Sequence, residues 1–433
     1  MSRRRLGGAA GSRLMWKLRL RHVLWSVVSF GVLLLTLSTM TLRLQQINAS
    51  TSPTDHQRYL SLEPYLSNLQ HRPGIQYTLS FRRRNGQWKN PIKEWTSLQA
   101  EDLRDLDLAS HSLASLDDQR NHLTQVQYVL DLLAAAGVTH VDPRVAQVLP
   151  TWTIFSRLYG DSASPIVHGM EVCSSLTPNS TYVGVAGLFN TGTTALELYL
   201  RENLMLPSFL DQTTLRKEVP WGKHRLWSLR QQFIPKDMTT QDIHKVLPVV
   251  IIRDPFTWMQ SMCTSPYMAK WPHTPAHCPN LVANVDDVVQ FPQLKFGELI
   301  STVLTAQNQT EFATLLDLWI EWYAQYLFSP EPRLLVRFED VLRSPDAVLE
   351  QIRQCLHLQY RHDDHFTYLI SPIKWDQKHV KKQSSLVSAL IKHGNGWGRT
   401  VNLTAADWQV IHQKLSHGAG KALVSRFQYL VGE

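Results

Sequence analysis

The spacing of apolar and polar positions divides the chain into three textures. Val23 to Leu42 carries no charged residue. At ~1.5 Å rise per residue such a run reaches about 30 Å as a helix, one hydrocarbon thickness. Its hydroxyls (Ser26, Ser29, Thr36, Ser38, Thr39 and Thr41) can bond back to the helix backbone. Residues 43–110 are polar and irregular, with a basic stretch at Arg82, Arg83 and Arg84. In 116–136, Leu123, Val126, Val129, Leu130 and Leu133 recur at three and four, which predicts a helix stopped by Gly137. From Tyr182 onward, short apolar runs alternate with helical ones. Strands are expected at Tyr182–Phe189, Val246–Ile252 and Leu334–Phe338. Helices are expected from Gly192, over Glu311–Leu327, over Ala347–Leu356 and over Ala405–Leu415. Strands alternating with helices predict an α/β fold, a three-layer parallel sheet with both faces covered. The expected organisation is a tail (1–22), a transmembrane helix (23–42), a partly helical stem (43–175) and a catalytic domain (176–433).

Charge changes this picture in one place. The formal net charge is +8. Residues 1–22 hold Arg3, Arg4, Arg5, Arg13, Lys17, Arg19 and Arg21 with no acid, which leaves 37 basic against 36 acidic side chains beyond them. The basicity therefore flanks the apolar run and does not form a nucleic-acid surface. Positive charge before the span places the N-terminus in the cytosol and the body in the lumen, a single-pass type II signal anchor. A cleaved signal peptide is the alternative, with a shorter apolar region and a small-residue cleavage site. A lumenal glycoprotein follows, with N-x-S/T sequons at Asn48, Asn179, Asn308 and Asn402. The composition, 43% hydrophobic with 14 Trp, 13 Tyr and 14 Phe, excludes a disordered protein. Among the four cysteines, Cys263 and Cys278 enclose a short loop and are expected to form a disulfide. Cys173 and Cys355 either pair across the fold or stay buried and reduced.

The chemical signals lie where strands end. Gly187-Leu-Phe-Asn190-Thr191-Gly192-Thr193-Thr194 has the G-x4-G spacing of a phosphate-cradling loop between a strand and a helix. Thr193 stands where a nucleotide triphosphatase needs lysine, so the loop suits a less charged 5′ group than a triphosphate with magnesium. Arg253 ends the second strand, Pro255 suits a helix entry, and Ser261 lies about two turns into that helix. Both side chains can then reach one phosphate at the carboxyl edge of the sheet. The bland reading is a capping arginine paired with Asp254 and an ordinary serine.

Together these residues resemble the sulfotransferase superfamily, which uses 3′-phosphoadenosine 5′-phosphosulfate. Gly187–Thr194 resembles its 5′-phosphosulfate loop, Arg253 and Ser261 its 3′-phosphate pair, and Leu334–Leu342 with Ser344-Pro345 its late strand and helix. The resemblance covers 182–360 well and 361–433 loosely. With the anchor it implies a Golgi-membrane sulfotransferase of carbohydrate or protein, a P-loop-type sheet, a glycan or glycoprotein acceptor and no metal. It also implies a basic residue at Asn190, a departure for which Lys217, Lys223 and Arg225 are the candidate substitutes. Lys217-Glu218-Val-Pro-Trp221 resembles the segment carrying the catalytic glutamate in heparan-type members, which makes Glu218 the expected acceptor base, with His224 second and Lys223 as the cation. Lys392 or Arg399, in a basic glycine-bearing loop, is expected near the 3′-phosphate. Two rivals remain: a non-catalytic relative that binds nucleotide or glycan, supported by Asn190, and a glycosyltransferase, supported only by Asp105-Leu-Asp107. His362-Asp-Asp-His365 reads as a solvated turn. Trp319, Trp322, Tyr323 and Tyr326 read as core, with a role at the cleft rim open.

Overall fold

The computed structural model of the protein describes residues 60–61, 97–98, 116–176, 182–206, 218–234, 236, 238–305, 309–362, 365–369 and 385–432. The apolar run at 23–42, the Asp105–Asp107 pair, Lys217 and the sequons at Asn48, Asn179 and Asn308 lie outside these residues. Among the described residues no helix is long and apolar enough to cross a membrane.

The described chain opens with three short strands, β1 (Leu60–Ser61), β2 (Ser97–Leu98) and β3 (His140–Val141). β3 pairs antiparallel with β1 and parallel with β2. Helices α1 (Leu116–Gln125) and α2 (Gln127–Ala135) precede β3. Gly137 ends α2 in the left-handed region (φ 82), and Val138 N–H reaches back to Leu133 O. The helices α3 (Pro143–Ala146) and α4 (Trp152–Tyr159) follow.

The central sheet holds β4 (Val167–His168), β5 (Tyr182–Ala186), β6 (Val246–Ile252) and β10 (Leu334–Arg337) in the order β4-β10-β6-β5. β5, β6 and β10 run parallel, and β4 pairs antiparallel with β10 at the edge. β6 is buried along its whole length, as the apolar run predicts. Its residues alternate between faces. Leu247, Val249 and Ile251 enter one hydrophobic cluster; Val246, Val250 and Ile252 enter the other. Burying each such side chain stabilises by about 1.5–3 kcal/mol.

Helices cover both faces. The first cluster takes up α2, α5 (Thr193–Asn203), α10 (Phe338–Arg343), α11 (Pro345–Leu356) and α12 (Leu386–Gly394). The second takes up α4, α7 (Pro255–Thr264), α9 (Leu315–Leu327), α13 (Ala405–Leu415) and α14 (Gly418–Arg426). Short helices α6 (Thr240–His244) and α8 (Val285–Gln290) lie between these. A separate antiparallel sheet joins β7 (Ala269–Lys270), β8 (Thr302–Leu304) and β9 (Thr310–Phe312).

Two expectations change. The helix expected from Glu311 starts at Leu315, because Thr310–Phe312 pairs with β8 and Thr314 caps the helix by accepting Asp317 N–H. The stem expected to run to residue 175 is not separate in its lower part. Val126, Val129 and Leu130 share a cluster with β6 and β10, and β4 belongs to the central sheet. Disulfides join Cys263 to Cys278, as expected, and Cys173 to Cys355, settling the open pair.

Candidate functional site

The G-x4-G segment forms the turn between β5 and α5, and steric contacts fix both glycines. A Cβ on Gly187 would lie 2.8 Å from Ile251 O and from Thr191 Oγ1. A Cβ on Gly192 would lie 2.6 Å from the Phe338 ring, and its φ of 86° is left-handed. Inside the turn, three successive carbonyls are held toward the protein. Thr191 Oγ1 donates to Leu188 O (2.7 Å), Trp258 Nε1 to Phe189 O (2.8 Å) and Arg253 Nη1 to Asn190 O (2.6 Å). A trans peptide sets each N–H opposite the preceding carbonyl. The N–H groups of Phe189, Asn190 and Thr191 are therefore turned to the other side. The first N–H groups of α5 also lack acceptors within the helix, and Gly192 brings no capping side chain. N–H groups gathered at a helix start favour an anion.

Asn190, Arg253 and Ser261 meet at this turn. Asn190, at φ 61°, donates from Nδ2 to Ser265 O (2.8 Å) and Ser261 O (3.2 Å), fastening the loop to the end of α7. Ser261 Oγ donates to Thr257 O (2.9 Å). Arg253 is 4% exposed. It donates inward, to Thr257 Oγ1 (3.2 Å), Thr257 O (3.0 Å) and the His393 ring (3.1 Å) as well as to Asn190 O. Burial presses its pKa below the usual value, opposed by Glu339. Burial, with the Arg253 charge second, holds His393 well below the usual imidazole range, so it is neutral and can accept. The arginine charge thus lies beneath the loop.

Arg399 is not placed as the resemblance implies. Its guanidinium is buried against Asp254 (Nη2 to Oδ1, 3.0 Å), donates to Leu430 O, and covers the Phe256 ring at 4.2 Å. Contact with a phosphate would break that buried pair. Asp254 also caps α7 by accepting Thr257 N–H (2.9 Å), and its own N–H goes to Glu339 Oε1 (3.1 Å). Glu339 Oε2 accepts from Tyr429 (3.1 Å). Burial, then the neighbouring Asp254 charge, pushes the Glu339 carboxyl up to about 7. Sequence reasoning missed this network. Asp254 and Glu339 were visible as residues, but their partners are far along the chain.

A second wall is the segment from Glu218 to Arg225. Val219 N–H reaches Val185 O (3.2 Å), Gly187 N–H reaches Lys223 O (2.9 Å), and His224 Nδ1 lies 2.6 Å from Gly187 O. Glu218, Lys223 and His224 are thereby brought beside the loop. Lys223 Nζ lies 3.6 Å from Glu218 Oε2, with their side chains 23% and 43% exposed. Donation from Nδ1 to that carbonyl fixes the orientation of the His224 ring beside the loop. The His224 ring lies 4.4 Å from that of Phe189, which stacks on Tyr267 (5.3 Å, 11°). Arg225 stacks over Phe233 with its Cζ 3.3 Å from the ring centroid.

The aromatic stripe of α9 is core, yet each polar tip holds site backbone. Trp319 donates to Arg253 O (3.0 Å), Trp322 to His224 O (3.1 Å), Tyr323 to Ile251 O (2.9 Å) and Tyr326 to Arg225 O (3.2 Å). The signal available in the sequence was the choice of Trp and Tyr over Leu at helical spacing. Elsewhere, the His362 and His365 rings stack at 4.2 Å, and no cluster of three His, Cys, Asp or Glu fit to hold a metal occurs among the described residues. Asn402 is exposed and donates to Cys278 O (3.3 Å). Comparison with known proteins finds no family model, no curated protein and no solved structure that matches this chain.

Proposed function

We propose that the protein transfers a sulfuryl group from 3′-phosphoadenosine 5′-phosphosulfate to a hydroxyl of a glycan or glycoprotein in the Golgi lumen. The observation that carries this reading is the convergence of three segments at the carboxyl ends of β5 and β6. These are the G-x4-G loop, the Arg253–Ser261 helix and the Glu218–His224 wall. Open α/β sheets bind their ligands at this edge. The two glycines let the turn pack closely against Ile251 and Phe338, where a Cβ would collide, and a tight turn opening a helix suits a 5′-phosphosulfate.

The donor supplies the sulfuryl group: one S–O bond forms to the acceptor oxygen and the S–O bond to the 5′-phosphate breaks. Glu218 is the first candidate to take the acceptor proton, because it is half-exposed beside the loop. His224 Nε2 is the second. The loop N–H groups and Lys223 stabilise the charge left on the departing phosphate, so the reading calls on no metal. Arg253 acts from below, holding the loop through Asn190 O. Arg399 acts one contact further out, through Asp254. Asn190 has its amide bound to α7 and presents no cation. That observation favours the second reading, a nucleotide-binding relative with weak or no transfer.

Incubation of the full-length chain with labelled donor and a panel of desulfated glycans tests transfer. Label incorporated by wild type and lost in Glu218→Gln or Lys223→Ala supports the first reading. Donor-product binding without incorporation supports the second.

A further inference from the structure

A cavity of about 620 Å³ lies away from the loop, between α4 and the C-terminal helices α13 and α14. That volume is within the ~300–1,000 Å³ common for ligand sites. Its polar lining is Ser156, Arg157, Ser416, Lys421, Ser425 and Gln428, and among the described residues no carboxylate contributes. Arg157 and Lys421 are exposed on different elements, α4 and α14, and among the described residues no ion pair engages either. Two cations facing one concavity, with no acidic side chain in its lining among the described residues, raise its potential and favour an anion. Aliphatic side chains of Leu415, Val424 and Val431 complete the wall. The backbone makes room for the amide: Gly160, at φ 79°, stands where a Cβ would come within 1.9 Å of Gln428 Oε1.

We propose that this cavity binds an anionic saccharide segment bearing sulfate or carboxylate groups. The two cations take its charges. The serine hydroxyls and the Gln428 amide serve its hydroxyls, and the aliphatic wall takes its C–H faces. Among the described residues the one aromatic in the lining, Tyr429, is buried and committed to Glu339, so the lining offers no ring for a nucleobase to stack on. The inference stands without the transfer chemistry, because the two cations, the serines and Gln428 belong neither to the loop nor to its walls.

The test uses the full-length chain in detergent and a fluorescent sulfated tetrasaccharide, with its desulfated counterpart as control. Wild type is expected to bind the sulfated probe selectively and more weakly as salt rises. The double variant Arg157→Ser/Lys421→Ser is expected to lose about tenfold in affinity, as charge-assisted contacts are removed. Ser425→Trp, which fills the cavity from an exposed position, is expected to lose as much. Affinity for 3′-phosphoadenosine 5′-phosphate should stay within twofold in both variants. The proposal is overturned if the sulfated probe fails to bind, if it binds the variants as tightly as wild type, or if the desulfated probe binds equally well. Competition by ATP would assign the cavity to nucleotides and overturn it too.

Discussion

Replacing His277 by Ala should be among the most damaging single changes outside the sheet. His277 joins the Cys263–Cys278 loop, α8 and α13. Its Nδ1 lies 2.6 Å from Asp287 Oδ2 and its Nε2 2.9 Å from Asp407 Oδ2. The three side chains are at most 4% exposed. With a carboxylate at each nitrogen, the ring carries both protons. Removing it strands two buried carboxylates, a change worth ~3–5 kcal/mol when one partner of a buried pair goes. Each acid keeps other donors: Asn284 N–H (3.1 Å) for Asp287, and Leu281 N–H (2.7 Å) and Val282 N–H (3.0 Å) for Asp407. The cost should therefore fall at the lower end, about 3 kcal/mol, or a Tm drop of roughly 5 °C for a folded body of this size. The effect has a pH sign. Burial pulls the His277 pKa down, but the hydrogen bonds to Asp407 and Asp287 outweigh it and the net shift is upward. A raised imidazole stabilises the fold fully below its unfolded pKa of about 6.5, and that contribution is lost as pH rises through the folded value. Thermal unfolding by circular dichroism at pH 6 and at pH 9 reads both effects. A loss under 1 kcal/mol at pH 6, or a gap between wild type and variant that widens at pH 9, would refute the charged clamp.

Three further outcomes are expected. Glu339, pushed up to about 7, favours folding while protonated, so its contribution declines as pH rises from about 4.5 to 7. Glu339→Gln should then raise Tm at pH 8 and leave it unchanged at pH 5; equal Tm at pH 8 would contradict the buried, repelled carboxylate. Gly192→Ala places a Cβ against Phe338 at a left-handed φ, which should cost ~2–3 kcal/mol and lower donor-product affinity at least tenfold by calorimetry. Opening the Cys263–Cys278 loop with the double serine variant should cost ~3 kcal/mol by loop closure, read by chemical denaturation, with loss below 1 kcal/mol as the contrary result.

Local patterns carried much of the fold and less of the site. β6 was legible because seven consecutive residues, Val246–Ile252, are apolar or proline and a charged Arg-Asp-Pro ends them. α13 was legible because its apolar positions repeat; its Thr404 cap accepts Asp407 N–H. β9 was not, since Glu311 and Phe312 fit a helix start until β8 pairs with them. The G-x4-G turn announced its own geometry through its two glycines. The charges around it did not. Arg399 had the expected basic character, but Asp254, 145 residues away, decides what it holds. The His277 clamp needs Asp407, 130 residues on, and no spacing rule links them. The lower stem looked separate because polar sequence precedes it, whereas α2 buries its stripe against the same core as the sheet.

Donor recognition is read by calorimetric binding of 3′-phosphoadenosine 5′-phosphate to the full-length chain, without metal, beside UDP and ATP. Selective micromolar binding is expected, reduced at least tenfold in Arg253→Ala, in which Asn190 O loses its donor. Preference for UDP with manganese, or donor-product binding unchanged in Arg253→Ala, would contradict it.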